Sequence, residues 1–137
     1  MKTEVLLVTA KRILNLQHLP KFMNINGTCL KFSPSVRNLG ITLDSTLSLH
    51  QHVVNVCRVA YLELRCINSI RNLLSVDAVK TLVCSLVLSH LDYCNSLLVG
   101  LPQYLIKRLQ GVQNAAARSI FSTPKSDHIS PLLQTLH

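Results

Sequence analysis

Aromatic residues are scarce in this chain, 4% of its 137 positions, and tryptophan is missing altogether. Any core must therefore be built from Leu, Val and Ile, which suits helix packing. Acids are equally scarce, six against fourteen Lys and Arg. Glu4, Asp44, Glu63, Asp77, Asp92 and Asp127 stand apart, so no pattern of paired carboxylates is set to hold a metal. With only four glycines there is no glycine-rich phosphate loop, and no serine has the surroundings of a nucleophile elbow. His50 and His52 are two apart and point to different sides of a helix, so they do not share a metal by themselves. Long apolar runs are missing too. The stretch Thr81–Leu91 falls far short of the ~20 residues a membrane span needs. The short run Val5–Ala10, between Glu4 and Lys11-Arg12, argues against a secretory signal. No membrane partner is expected.

Five cysteines (29, 57, 66, 84, 94) are odd in number, widely spaced and never in a Cys-x-x-Cys pair. Four lie in apolar helical stretches, where a thiol behaves as a small hydrophobe. That usage points to a reducing compartment, cytoplasm or nucleus, and away from disulfides or structural zinc. Apolar residues make up 48% of the chain, enough for a folded domain, and the net charge is +8. Such an excess favours a polyanionic partner.

The apolar period changes along the chain. Residues 3–44 read as strands, Glu4–Thr9, then Phe22–Ile25 and Thr28–Phe32 around Asn26-Gly27, a strong hairpin signal, with Lys11–Lys21 a loop or short helix between them. In that register Ile25 faces Thr28 and Met23 faces Leu30. Leu39, Ile41 and Leu43 alternate with polar neighbours as a third, half-buried strand. From Ser45 the period is helical. Val53, Val56, Cys57, Ala60, Leu64, Ile67, Ile70 and Leu74 predict a helix over about 48–74, with Arg58 and Arg65 on its other side. Ser75 caps a second helix, about 76–98, apolar nearly all round and so central, with Asp77 in its first turn. Gly100 ends it, and Pro102 opens a third over about 102–122, with Lys107, Asn114 and Arg118 on one polar stripe. Pro124 stops the third, and residues 130–137 begin a fourth. The expected fold is α+β: a three-stranded antiparallel hairpin or meander in residues 1–44, followed by a bundle of three to four helices in 45–137.

Polar residues inside apolar helices must be paired or used. Asp92, Asn95, Gln113, Asn114 and Arg118 form either an interhelical network, with Asp92 reaching Arg118, or contacts to a ligand backbone. Asp92 and Gln113 read as the network, and Asn114 and Arg118 fit both readings equally. Asp44, at the end of its strand, reads as a cap for the following turn or helix. Lys107, Arg108, Arg118, Arg58 and Arg65 are candidate phosphate contacts on a helical surface.

Five segments together resemble the C-terminal part of a LINE-type (non-LTR) retrotransposon reverse transcriptase. Residues 2–7 (Lys-Thr-Glu-Val-Leu-Leu) resemble the end of motif D of the palm. Residues 36–44 (Val-Arg-Asn-Leu-Gly-Ile-Thr-Leu-Asp) resemble motif E, the primer grip. Residues 89–96, 109–118 and 136–137 resemble the helical thumb and its continuation. The resemblance implies a palm remnant in 1–44 and a thumb-like domain in 45–137 that stops short of its natural end. It implies that Lys2 sits near an incoming nucleotide and that Leu39-Gly40 lies where the sheet meets the primer. The chain departs from the family at Asn38, where an aromatic residue is common. It also lacks the paired palm aspartates, which would precede residue 1 together with the rest of palm and fingers. The intact family enzyme uses Mg; no cofactor is expected here, and no polymerase activity of the chain alone. The expected role is backbone binding of an RNA–DNA or DNA template–primer through Arg37, Gly40, Lys107, Arg108 and Arg118. The alternative is a small helical protein-interaction module with no nucleic-acid role.

Overall fold

The computed structural model describes residues 3–13, 19–93 and 95–122. Lys2 and the expected fourth helix lie outside these. The chain forms two compact units, Met1–His52 and Val53–His137. The first is β-rich and the second helical, an α+β arrangement in the expected order.

In the first unit, β2 (Phe22–Ile25) and β3 (Thr28–Ser33) form the antiparallel hairpin at the expected register, Met23 opposite Leu30 and Ile25 opposite Thr28. Asn26 and Gly27 both have positive φ, 50° and 81°, the two-residue turn whose twist matches its strands. The third strand of this sheet departs from the antiparallel expectation. β1 (Val5–Leu6) runs parallel to β3, Val5 beside Phe32 and Leu6 beside Ser33. With β2 hairpinned onto one edge of β3, only the other edge is open to β1, and a parallel neighbour cannot be joined by a tight two-residue turn.

The reading of Leu39 as part of a strand is also corrected. β4 (Ser35–Asn38) and β5 (Ile41–Asp44) form their own two-stranded hairpin, Asn38 opposite Ile41. Leu39 and Gly40 are its turn, with φ of 47° and 83°, and Leu39 is 80% exposed. A leucine in the left-handed region costs about 1–2 kcal/mol. The following glycine takes the second positive φ without strain, and alternation alone does not distinguish a strand from such a turn.

In the second unit, helix α1 (His50–Ser69, its first turn in the first unit) buries Val53, Cys57, Ala60, Leu64 and Ile67. These lie at steps of three and four, one stripe of an amphipathic helix. Ile70, expected on that stripe, lies past the helix end and is exposed. A 3₁₀ turn, Arg71–Leu73, leads to helix α2, residues 76–92. Ser75 caps it as expected, its Oγ accepting the Ala78 N–H at 3.2 Å. The middle of α2, Val83–Leu88, is a π-helical stretch. Its buried residues Val79, Val83, Val87 and Leu91 are four apart throughout. On an α-helix such a stripe drifts around the axis; the wider i→i+5 turn brings residues four apart closer to one line. Leu86 is exposed, so α2 is one amphipathic member of the bundle rather than a helix buried all round. It ends at Asp92, short of the expected 98, and Asn95–Leu98 is a separate 3₁₀ turn. Helix α3 (Gln103–Phe121) follows Pro102 and ends on Ser122 in the left-handed conformation, φ 54°. It buries Leu105, Val112, Ala116 and Ile120 against the other two helices.

Candidate nucleic-acid interface

Two interactions between α1 and α3, and one from the turn after α1, orient the two helices. The Arg108 guanidinium lies near Cys57. A Cβ placed on Gly111 would meet the Tyr61 hydroxyl at 3.2 Å. Arg71 Nη2 donates to the Ile120 carbonyl at 2.7 Å. Positions 57, 61 and 71 thus match 108, 111 and 120, so α1 and α3 run in the same direction. Arg58 and Arg65 lie three residues before and four after Tyr61, on its face of α1. On α3, Lys107 and Arg118 lie four residues before and seven after Gly111, again on one face. The seam where Tyr61 rests on Gly111 is therefore flanked by cations of both helices.

Arg58, Arg65, Lys107 and Arg108 are exposed, while Arg118 is half-buried. Asn114 lies between Lys107 and Arg118, and its Oδ1 accepts from Gln110 Nε2 at 3.1 Å. Helix α3 contains no Asp or Glu. Glu63 is the sole acid of α1, and it turns toward α2, where its Oε2 is 3.3 Å from His90 Nδ1. The remaining described carboxylates of this unit, Asp77 and Asp92, are on α2. Among the described residues, the faces of α1 and α3 that carry these cations include no Asp or Glu, Glu63 being turned to His90.

The expected reach of Asp92 to Arg118 is not found among the described residues. Asp92 and Gln113 are both exposed. The buried stripe that ends at Leu91 leaves the next position pointing outward, so neither group needs an internal partner. Other polar groups are satisfied within their own helix: the buried Ser119 hydroxyl donates to the Ala115 carbonyl at 3.1 Å, and Thr81 to the Asp77 carbonyl at 2.9 Å.

Arg37 and Gly40 belong to the first unit. Arg37 is exposed on β4 opposite Thr42, and Gly40 sits at the tip of the β4–β5 hairpin. Lys2 lies outside the described residues. Sequence reasoning missed Tyr61, Gly111 and Arg71. The first had a signal in the sequence, since Arg58, Tyr61 and Arg65 share one helical face. The other two become visible only once helices are paired.

Asp44 does cap the segment after its strand. Its Oδ1 accepts the N–H groups of Thr46 and Ser48 at 2.9 and 3.0 Å and the Thr46 hydroxyl at 2.6 Å; Oδ2 accepts the Ser48 hydroxyl at 2.7 Å. Partial burial pushes its pKa up, but these hydrogen bonds outweigh it and hold the carboxyl down to about 2. His52 is buried, and its Nδ1 accepts the Thr42 N–H at 3.4 Å; burial lowers its pKa. His50 is exposed, so the two histidines do point to different sides. Burial pushes the Cys57 thiol up, with Arg108 opposing in part, which leaves Cys57 a packing residue rather than a nucleophile. Cys66 and Cys84, expected to pack as small hydrophobes, are exposed. Among the described residues, no cluster of three or more His, Cys, Asp or Glu is placed to hold a metal ion. No described helix is long and apolar enough to cross a membrane.

No family model, no curated protein and no solved structure matches the chain.

Proposed function

We propose that the chain derives from a LINE-type retrotransposon reverse transcriptase and acts, without catalysis of its own, by binding the backbone of a template–primer duplex. The observation that carries this reading is the charge segregation of the helical unit. Arg58 and Arg65 share the Tyr61 face of α1, and Lys107 and Arg118 the Gly111 face of α3, with Arg108 beside them. Glu63, the sole acid of the two helices, turns to His90. Lys107 to Arg118 spans eleven residues, roughly 16 Å along the helix axis. One strand of a duplex places several phosphates within such a length. Cations so arranged position a duplex without reading its sequence.

The test is the salt dependence of binding to a labelled RNA–DNA hybrid, measured by fluorescence anisotropy. Replacing Lys107 and Arg108 by Gln should weaken binding and flatten the slope of log K against log salt. In the same titration with a B-form DNA duplex, the slope should fall by about 0.9 for each phosphate the variant no longer neutralises. An unchanged slope removes those residues from the interface.

A second reading, a protein-interaction module, is favoured by a different observation. Leu73 and Val99 are 86% and 84% exposed, and Val59 and Leu62 add apolar surface on α1. A chain that binds no hybrid at low salt, yet self-associates or retains a protein partner through chromatography, supports that reading instead.

A further inference from the structure

Resting on the nucleic-acid reading above, we infer that the α1–α3 face takes single-stranded nucleic acid, with Tyr61 and Tyr104 as stacking platforms for bases between phosphate-binding cations. Backbone binding alone needs no aromatic surface, yet this aromatic-poor chain places two of its three tyrosines here. Tyr61 is 47% exposed and lies on Gly111, whose missing side chain leaves room for the phenol at the seam. Tyr104 is 55% exposed in the first turn of α3, seven residues before Gly111, and so on the same face. About 10 Å of helix separates the levels of the two rings. Arg58 and Arg65 bracket Tyr61 on α1, and Lys107 stands between the two levels on α3. Alternating rings and cations are what a single strand requires: every base has a flat face to stack, and every linkage has a charge to meet. A paired duplex hides its base faces, so it would use the cations and leave the rings idle.

The experiment compares a labelled thymidine homopolymer with a blunt DNA duplex of equal length, titrated into the whole chain at low salt. The wild type should bind the single strand more tightly. Tyr61→Leu keeps apolar bulk against Gly111 but removes the ring, and should lose about tenfold affinity for the single strand, the scale of one base–aromatic stack. Its duplex affinity should not change, and Tyr61→Phe should bind both probes as the wild type does. The chain has no tryptophan, so its own tyrosine emission reports directly, and the homopolymer should quench it more than the duplex does. Wild-type-like single-strand binding by Tyr61→Leu, or no quenching, overturns the stacking face; undiminished duplex binding in the same series leaves the backbone reading intact. If neither probe binds, both fall together.

Discussion

Asp44 and His52 hold the passage from strand β5 into helix α1, and both do so through their charge state. Leu47 and Leu49 in this passage have φ of 52° and 55°, a strained conformation for leucine. Hydrogen bonds to the Asp44 carboxylate from Thr46 and Ser48 fix the backbone around them. Asp44→Ala should therefore destabilise the first unit by about 1–2 kcal/mol in urea unfolding at neutral pH. The folded carboxyl titrates at about 2, below the ordinary value near 4. Its contribution is thus complete above pH about 4 and disappears as pH falls toward 2, so the two proteins should converge in acid. His52 works at milder pH. Its ring is buried neutral with Nδ1 as acceptor, and its pKa lies below the usual 6.5. The stability it gives is complete above that value and is lost as pH falls through the window below it. His52→Asn keeps an acceptor near Thr42 without a titrating group. The stability of the wild type relative to this variant should shrink between pH 7 and pH 5, and a gap constant with pH would contradict the neutral buried ring.

At the level of elements, α3 depends at its end on a residue outside it. Arg71, in the turn after α1, donates to the Ile120 carbonyl, one of the last-turn acceptors a helix leaves open, and adds positive charge where the helix dipole favours it. Its Nε is buried with no hydrogen-bond partner among the described residues, which offsets part of that gain. Arg71→Met keeps the stem and should cost about 1 kcal/mol in thermal unfolding, with fraying of the last turn of α3 in far-UV circular dichroism. Gly111→Ala separates stability from binding. Alanine is better than glycine inside a helix by about 0.8–1 kcal/mol, and the half-exposed Tyr61 can shift to admit the methyl group. The variant should melt higher yet bind single strands more weakly, because the ring no longer rests in its notch. These elements also show where sequence reasoning reached and where it stopped. The Asn26-Gly27 hairpin, the Ser75 cap and the Asp44 cap are local interactions, each written within a few residues. The Leu39-Gly40 turn was hidden because an alternating pattern continues through it. The π stretch of α2, the exposure of Asp92 and the fit of Tyr61 on Gly111 follow from which residues meet across helices, and no period within one segment carries that.

Across the whole molecule, apolar burial is unevenly shared. The helical unit buries a contiguous cluster from all three helices, with Val79, Val83, Val87, Leu105 and Val112 fully enclosed. In the first unit the described buried apolar residues are Ile41 and Leu49, while Phe22, Met23 and Ile25 of β2 are exposed. Hydrophobic burial is the main force opposing chain entropy, so these units should differ in local stability. Amide hydrogen exchange tests this residue by residue. The slowest amides should belong to the buried stripes of α1, α2 and α3, whereas those pairing β2 with β3 should exchange through far cheaper local opening. A lone two-stranded ribbon is marginal in water, and the short β1 adds only two residues of pairing. Protection of the β2–β3 amides equal to that of α3 would mean that something covers Phe22, Met23 and Ile25 in solution. Repeating the measurement over a range of protein concentrations would identify a second copy of the chain as that cover, since its protection would then grow with concentration.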